Sequence, residues 1–152
     1  MITSELVDRA VALIGKSAAS HIYFFDQLDS PEWIQPLAER GFFKMAPPLE
    51  NEGGSVRAPG WPESRYLARM AKVPSAQNMV CNIALAIPDT DNVRVHVDLS
   101  EVALSLPPKM AVRFVPKVLK WIESPYPTLL PDKLGDLVAH LGGGGEIDGA
   151  LI

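Results

Sequence analysis

The sequence predicts an all-α domain of about seven or eight helices, and three observations carry that expectation. From Pro74 to Pro108, Ala76, Met79, Val80, Ile83, Ala84 and Ile87 recur once per helical turn and must be buried. Val93, Val95, Val97 and Leu99 alternate with polar residues as a strand would, but Ser100-Glu101 breaks that pattern, while Val95, Leu99, Val102, Ala103 and Leu106 keep helical spacing. Ser30-Pro31-Glu32 and Trp61-Pro62-Glu63 mark two helix starts, with proline where its missing N–H costs nothing and an acid against the helix dipole.

Taken in order, Leu6, Ala10, Leu13 and Ile14 form the stripe of a first helix that Ser4 can cap. Gly15-Lys16-Ser17 loosens it, and Ala18, Ile22, Phe25 and Leu28 resume the pattern in a shifted phase, as two short helices or one bent one. Trp33, Ile34, Leu37 and Ala38 give the buried side of the next helix, which Gly41 ends in a left-handed cap. Lys44 to Gly60, KMAPPLENEGGSVRAPG, shows no sustained period and reads as a long loop.

Beyond the loop, Tyr66, Leu67, Met70 and Ala71 make a core face, and the turn Pro88 to Asn92 joins the two central helices, with Asn92 as N-cap. Pro108 opens a helix with Ala111, Phe114, Val115, Val118 and Ile122 buried. Pro116 displaces the carbonyl of Val112 and bends it. A final helix is expected from Pro131, with Leu130, Leu134, Leu137, Val138 and Leu141 as its stripe. Residues 1–145 then form one domain, and 146–152 read as the opening turn of a further helix, as in the N-terminal fragment of a larger protein.

The junction LAIPDTDNVRVHVDL (Leu85 to Leu99), an apolar helix, a short acidic turn and Val-Arg opening the next helix, resembles the HEAT and armadillo class of helical repeats. Looser echoes occur at LDSPEW (Leu28 to Trp33) and WIESPY (Trp121 to Tyr126). The resemblance implies a two-layer, right-handed α-α superhelix in which Asp89 or Asp91 steadies the turn and Arg94 pairs with such an acid. It also implies a curved scaffold for partners.

Composition narrows the function classes. No apolar run reaches the roughly 20 residues that cross a bilayer, and the N-terminus lacks the basic start and cleavage site of a secretory signal. The single cysteine, Cys81, excludes an internal disulfide and suits a cytoplasmic setting and inert burial. His21, His96 and His140 stand in separate segments without metal-ligand spacing, no Gly-x-Ser-x-Gly elbow is present, and the glycine run at 142–145 lacks a following Gly-Lys-Ser/Thr. No catalytic residue, cofactor-binding residue or metal ligand is expected, and no cofactor.

Charge placement is the remaining signal. Arg65, Arg69 and Lys72 on one helix, and Lys109, Arg113, Lys117 and Lys120 on another, hold seven of the 14 basic residues and share their helices with two of the 18 acids, Glu63 and Glu123. Together with Trp61 these are the candidate partner-binding residues. Alternation of layers would place the two rows on opposite sides, and a net charge of −4 disfavours generic nucleic-acid binding. The expected function is a non-catalytic interaction scaffold binding a protein partner or other domains of the same full-length chain, not a membrane. The alternative is a nucleic-acid or phospholigand-binding domain, and a third is the accessory domain of a multidomain enzyme.

Overall fold

Eight α-helices make up most of the structure, a computed structural model that describes residues 2–123, 135–137 and 139–140. They are α1 (Ser4–Ile14), α2 (Ala18–Gln27), α3 (Ile34–Glu39), α4 (Pro62–Met70), α5 (Gln77–Ala86), α6 (Val93–Ser105), α7 (Pro108–Ala111) and α8 (Val115–Ile122). The fold is therefore all-α and multi-helical. The contested segment 93–99 is helical, and Val95, Leu99, Val102, Ala103 and Leu106 are all buried.

Local chemistry sets most boundaries. Thr3, one residue earlier than expected, caps α1 by accepting from the Leu6 N–H, and Ser17 caps α2, separating the two helices at the Gly15 break. Ser30 caps a single 3-10 turn at Pro31–Trp33 that leads into α3, and Gly41 follows at φ 82°. A 3-10 turn at Val112–Phe114 separates α7 from α8 just ahead of Pro116, which is the bend expected from the displaced Val112 carbonyl.

The long-loop expectation for Lys44 to Gly60 is corrected. The segment contains a hairpin, β1 (Glu50–Glu52) and β2 (Ser55–Arg57), antiparallel with Glu50 opposite Arg57. Gly53 and Gly54, at φ 56° and 85°, supply the two left-handed positions of a tight primed turn. Three-residue strands exposed along nearly their whole length carry no apolar alternation, so periodicity could not reveal them.

The first stripe is also rotated from its expected position. Val7, Ala10 and Ile14 face inward, while Leu6 and Leu13 are 43% and 48% exposed. A helix that packs mainly on α2 and α3 needs only the narrow row i, i+3, i+7. The predicted final helix lies largely outside the described residues. Within them, 135–137 and 139–140 are helical and Leu137 is buried. The tail 146–152 lies wholly outside.

Packing centres on α4, which contacts α2, α5 and α6. Tyr66 meets Phe25 at 6.1 Å between ring centroids and stacks on Phe43, and its hydroxyl donates to Ser30 O at 2.6 Å. Asn92, fully buried, ties this region together. Its Oδ1 accepts from the Arg94 N–H at 3.0 Å and caps α6; its Nδ2 donates to Pro47 O and Pro59 O, both at 2.9 Å, one on each side of the hairpin. Replacing Asn92 with alanine removes a cap and leaves two carbonyls without a donor, a loss of about 2–4 kcal/mol. Urea unfolding should register that loss, with faster amide exchange at 50–57; an unchanged midpoint and unchanged hairpin exchange would contradict the assignment.

Candidate functional site

The basic rows are drawn largely into the fold. Near the end of α4, the Arg69 Nη2 donates to Phe25 O and to Leu28 O (3.1 Å), closing the carboxyl end of α2. Lys117 does the same for α5, donating to Ile87 O at 2.7 Å; burial pulls its ammonium below the usual lysine range and Asp89, 3.8 Å away, partly restores it. Lys120 pairs with Asp89 at 2.6 Å, and that contact holds the Asp89 carboxyl below its ordinary value. Arg113 donates to Asn82 Oδ1 at 3.2 Å and lies 3.6 Å from Cys81 Sγ. Lys72 and Lys109 are exposed, and their side chains make no hydrogen bond or ion pair among the described residues. Trp61, 4% exposed, belongs to the core.

A second group of side chains was not legible as a unit in the sequence. It gathers at the first turn of α4, where Glu63 and Ser64 are both buried. His21, from α2, places Nε2 2.8 Å from Glu63 Oε1. Burial pushes the Glu63 carboxyl up, and His21 pulls it partly back. Ser64 Oγ donates to Asp98 Oδ2 of α6 at 2.6 Å, with Trp61 O 3.0 Å away as the other acceptor. Burial raises the Asp98 carboxyl from its ordinary 3.8 to about 6, against the Ser64 hydrogen bond and the Arg65 and Arg94 charges that lower it.

Two clefts flank this turn and meet at Gly60. One, of ≈ 340 Å³, runs between α2 and the segment before α4, with Ile22, Met45, Pro47 and Pro62 as apolar walls and His21 and Glu63 as its polar part. The other, of ≈ 370 Å³, is lined by Gly60, Arg65, Arg94, Val97 and Asp98. Arg65 is 3.5 Å from Asp26, a pair whose side chains are 40% and 45% exposed. Arg94 departs from the expected pairing: Asp89 pairs with Lys117 and Lys120 instead, and the Arg94 side chain makes no ion pair among the described residues.

The other histidines are accounted for within the fold. His96 is 1% exposed, donates from Nε2 to Thr90 O at 2.5 Å and stacks on Trp121, while its buried Nδ1 has no hydrogen-bond partner among the described residues. Burial therefore holds His96 below the usual imidazole range. His140 contacts Leu106 O at 2.7 Å. Cys81 is buried, and burial pushes its thiol up. Among the described residues no group of three or more His, Cys, Asp or Glu is placed to hold a metal ion, and no helix is long and apolar enough to cross a membrane. No protein-family model, no curated protein and no solved structure matches the chain.

Burial of Asp98 makes the folded state lose stability as pH rises from about 3.8 to about 6. A carboxyl that protonates more readily in the folded state adds no penalty below its unfolded pKa of 3.8 and its full penalty above about 6. Asp98→Asn, which still accepts from Ser64, should therefore leave stability at pH 4 nearly unchanged and raise it by about 1–3 kcal/mol at pH 8. Denaturant titrations at the two pH values make the comparison; equal or lower stability of the variant at pH 8 would contradict the burial.

Proposed function

We propose that this chain is a non-catalytic helical scaffold, a two-layer, right-handed superhelix of the HEAT and armadillo kind, that presents its outer faces to a protein partner or to other domains of the same full-length chain. The observation that carries this reading is the packing order. Contacts link α1 to α3, α3 to α5 and α5 to α7 in one series, and α2 to α4 and α4 to α6 in another. Side-chain bonds support a common direction within a series. His21 meets Glu63 early in α2 and α4, while Arg69 reaches the end of α2 from the end of α4. Met110 and Arg113 lie beside Cys81 and Asn82, and Lys117 lies beside Ile87. Stacks of this kind build continuous surfaces of a size suited to proteins rather than enclosed reaction chambers.

Large apolar side chains left in solvent, half of those among the described residues on α1 and α2, support the same reading. Leu6 and Leu13 of α1, Ile22 and Tyr23 of α2, and Met45 are 43, 48, 45, 68 and 83% exposed. A protein surface is the natural cover for such a group. Nucleic acid is the less favoured partner, because Arg69, Lys117 and Lys120 already bond within the chain and the net charge is −4. A cytoplasmic setting fits a lone buried thiol.

Site-specific photo-crosslinking in the source cell tests the proposal. A crosslinking residue at position 23 should yield one protein adduct of defined mass, absent when it is placed at exposed Asn78 and lost on Leu13→Asp, a change at an already exposed position. Equal adducts at both positions, or none at position 23, would overturn it.

A further inference from the structure

We propose that the cleft between the first turns of α4 and α6 is a binding site for a phosphate monoester, gripped between the guanidinium groups of Arg65 and Arg94 above Gly60. The placement of Arg94 is the starting point. It sits in the first turn of the 13-residue helix α6, where the helix dipole disfavours a cation; its side chain makes no hydrogen bond or ion pair among the described residues, and the charge of Asp98, one turn on, offsets that cost only in part. It nevertheless lines the ≈ 370 Å³ cleft that Arg65 enters from α4. Two helix starts and two arginines thus converge on one space.

Gly60 fits the same use. A Cβ there would lie 3.0 Å from Arg65 Nη1, so the missing side chain lets the guanidinium lie over the backbone and leaves the mouth open. The bond from Asn92 to Pro59 O holds the adjoining backbone in place. Arg65 remains exchangeable, since its 3.5 Å contact with half-exposed Asp26 is a long surface pair of little energy. A carboxylate fills one guanidinium fork, whereas a phosphate dianion with three terminal oxygens engages two. The volume lies at the small end of ligand sites, about 300–1,000 Å³, and suits a compact phosphorylated group.

Asp98 also lines the cleft, and its repulsion of an anion has to be removed. The charged groups that face it are Arg65 from α4, with Arg94 and Glu101 from its own helix; Asp26 of α2 acts through Arg65. Its Oδ2 accepts from Ser64 and its Oδ1 makes no hydrogen bond among the described residues. The carboxyl takes up a proton near pH 6, close to the second ionisation of a phosphate monoester at about 6. Binding therefore brings a proton into the site, and the protonated carboxyl donates to a phosphate oxygen.

Calorimetry and amide shift mapping of the whole chain, with O-phosphoserine and an end-blocked phosphoserine peptide as probes, test the site. O-Phosphoserine should bind saturably at pH 6, move the amides of Gly60, Arg65 and Arg94, and weaken several-fold by pH 8. Arg94→Ala, at an exposed position, should lose at least about tenfold in affinity with its melting temperature kept. Arg94→Lys, which keeps the charge without the fork, should fall between, and Lys72→Ala should bind as the unaltered chain does. Asp98→Asn should bind more tightly than the unaltered chain at pH 8. Binding of the peptide as well as the free amino acid assigns the site to phosphorylated side chains; binding of the free amino acid alone assigns it to small phosphorylated ligands. No saturable binding, or equal losses in Arg94→Ala and Lys72→Ala, overturns the proposal.

Discussion

A single buried amide, that of Asn92, sets the positions on which the other polar features depend. Its oxygen starts α6 and its nitrogen holds Pro47 O and Pro59 O, so one side chain fixes a helix start, both sides of a hairpin and the backbone that leads into α4. A buried amide with those hydrogen bonds made is tolerated; the same group with one bond missing is costly, and that asymmetry holds the three segments in register. The starts of α4 and α6 then lie side by side, and the bond from Ser64 to Asp98 continues the contact one turn further along. Both clefts that meet at Gly60 follow from this convergence.

Cations are divided between two kinds of work. Arg69 and Lys117 reach along the array and donate to the last carbonyls of α2 and α5, groups that a helix end cannot satisfy for itself. Lysine and arginine at those ends also complement the helix dipole. Arg94 has the opposite placement, at a helix start, and Arg65 has an ion pair that solvent weakens. Charge rows that look alike in the sequence thus separate into internal caps and a small pair that faces an open cleft. The distinction is one of geometry, because spacing along one helix carries no information about which neighbouring carbonyl a long side chain reaches.

Much of the helical framework was legible in the residues. Pro-Glu starts, the Gly41 cap, the Asn92 cap and the bend before Pro116 are local devices whose chemistry acts over three or four residues, and they stand where expected. The hairpin at 50–57 is not legible in the same way, because its strands bury almost nothing and so have no pattern to read, although Gly53-Gly54 between Glu50 and Arg57 carries a turn signal. Spacing alone puts Leu6 and Leu13 inside, because a helix with apolar residues on two sides does not say which one the neighbours will cover. His21, Glu63, Ser64 and Asp98 come together from positions up to 77 apart in the numbering, through packing of α4 on α2 and α6 that no spacing rule encodes.

Joined at their starts, α4 and α6 should be the most firmly held part of the helical array. Site-resolved amide hydrogen exchange under native conditions tests it directly. Amides within 66–70 and 97–103 should exchange only through global unfolding, with contiguous helical protection in both, while those of α1 exchange through smaller openings. Faster exchange across 97–103 than across α1, or protection that alternates from residue to residue between 93 and 99, would contradict it.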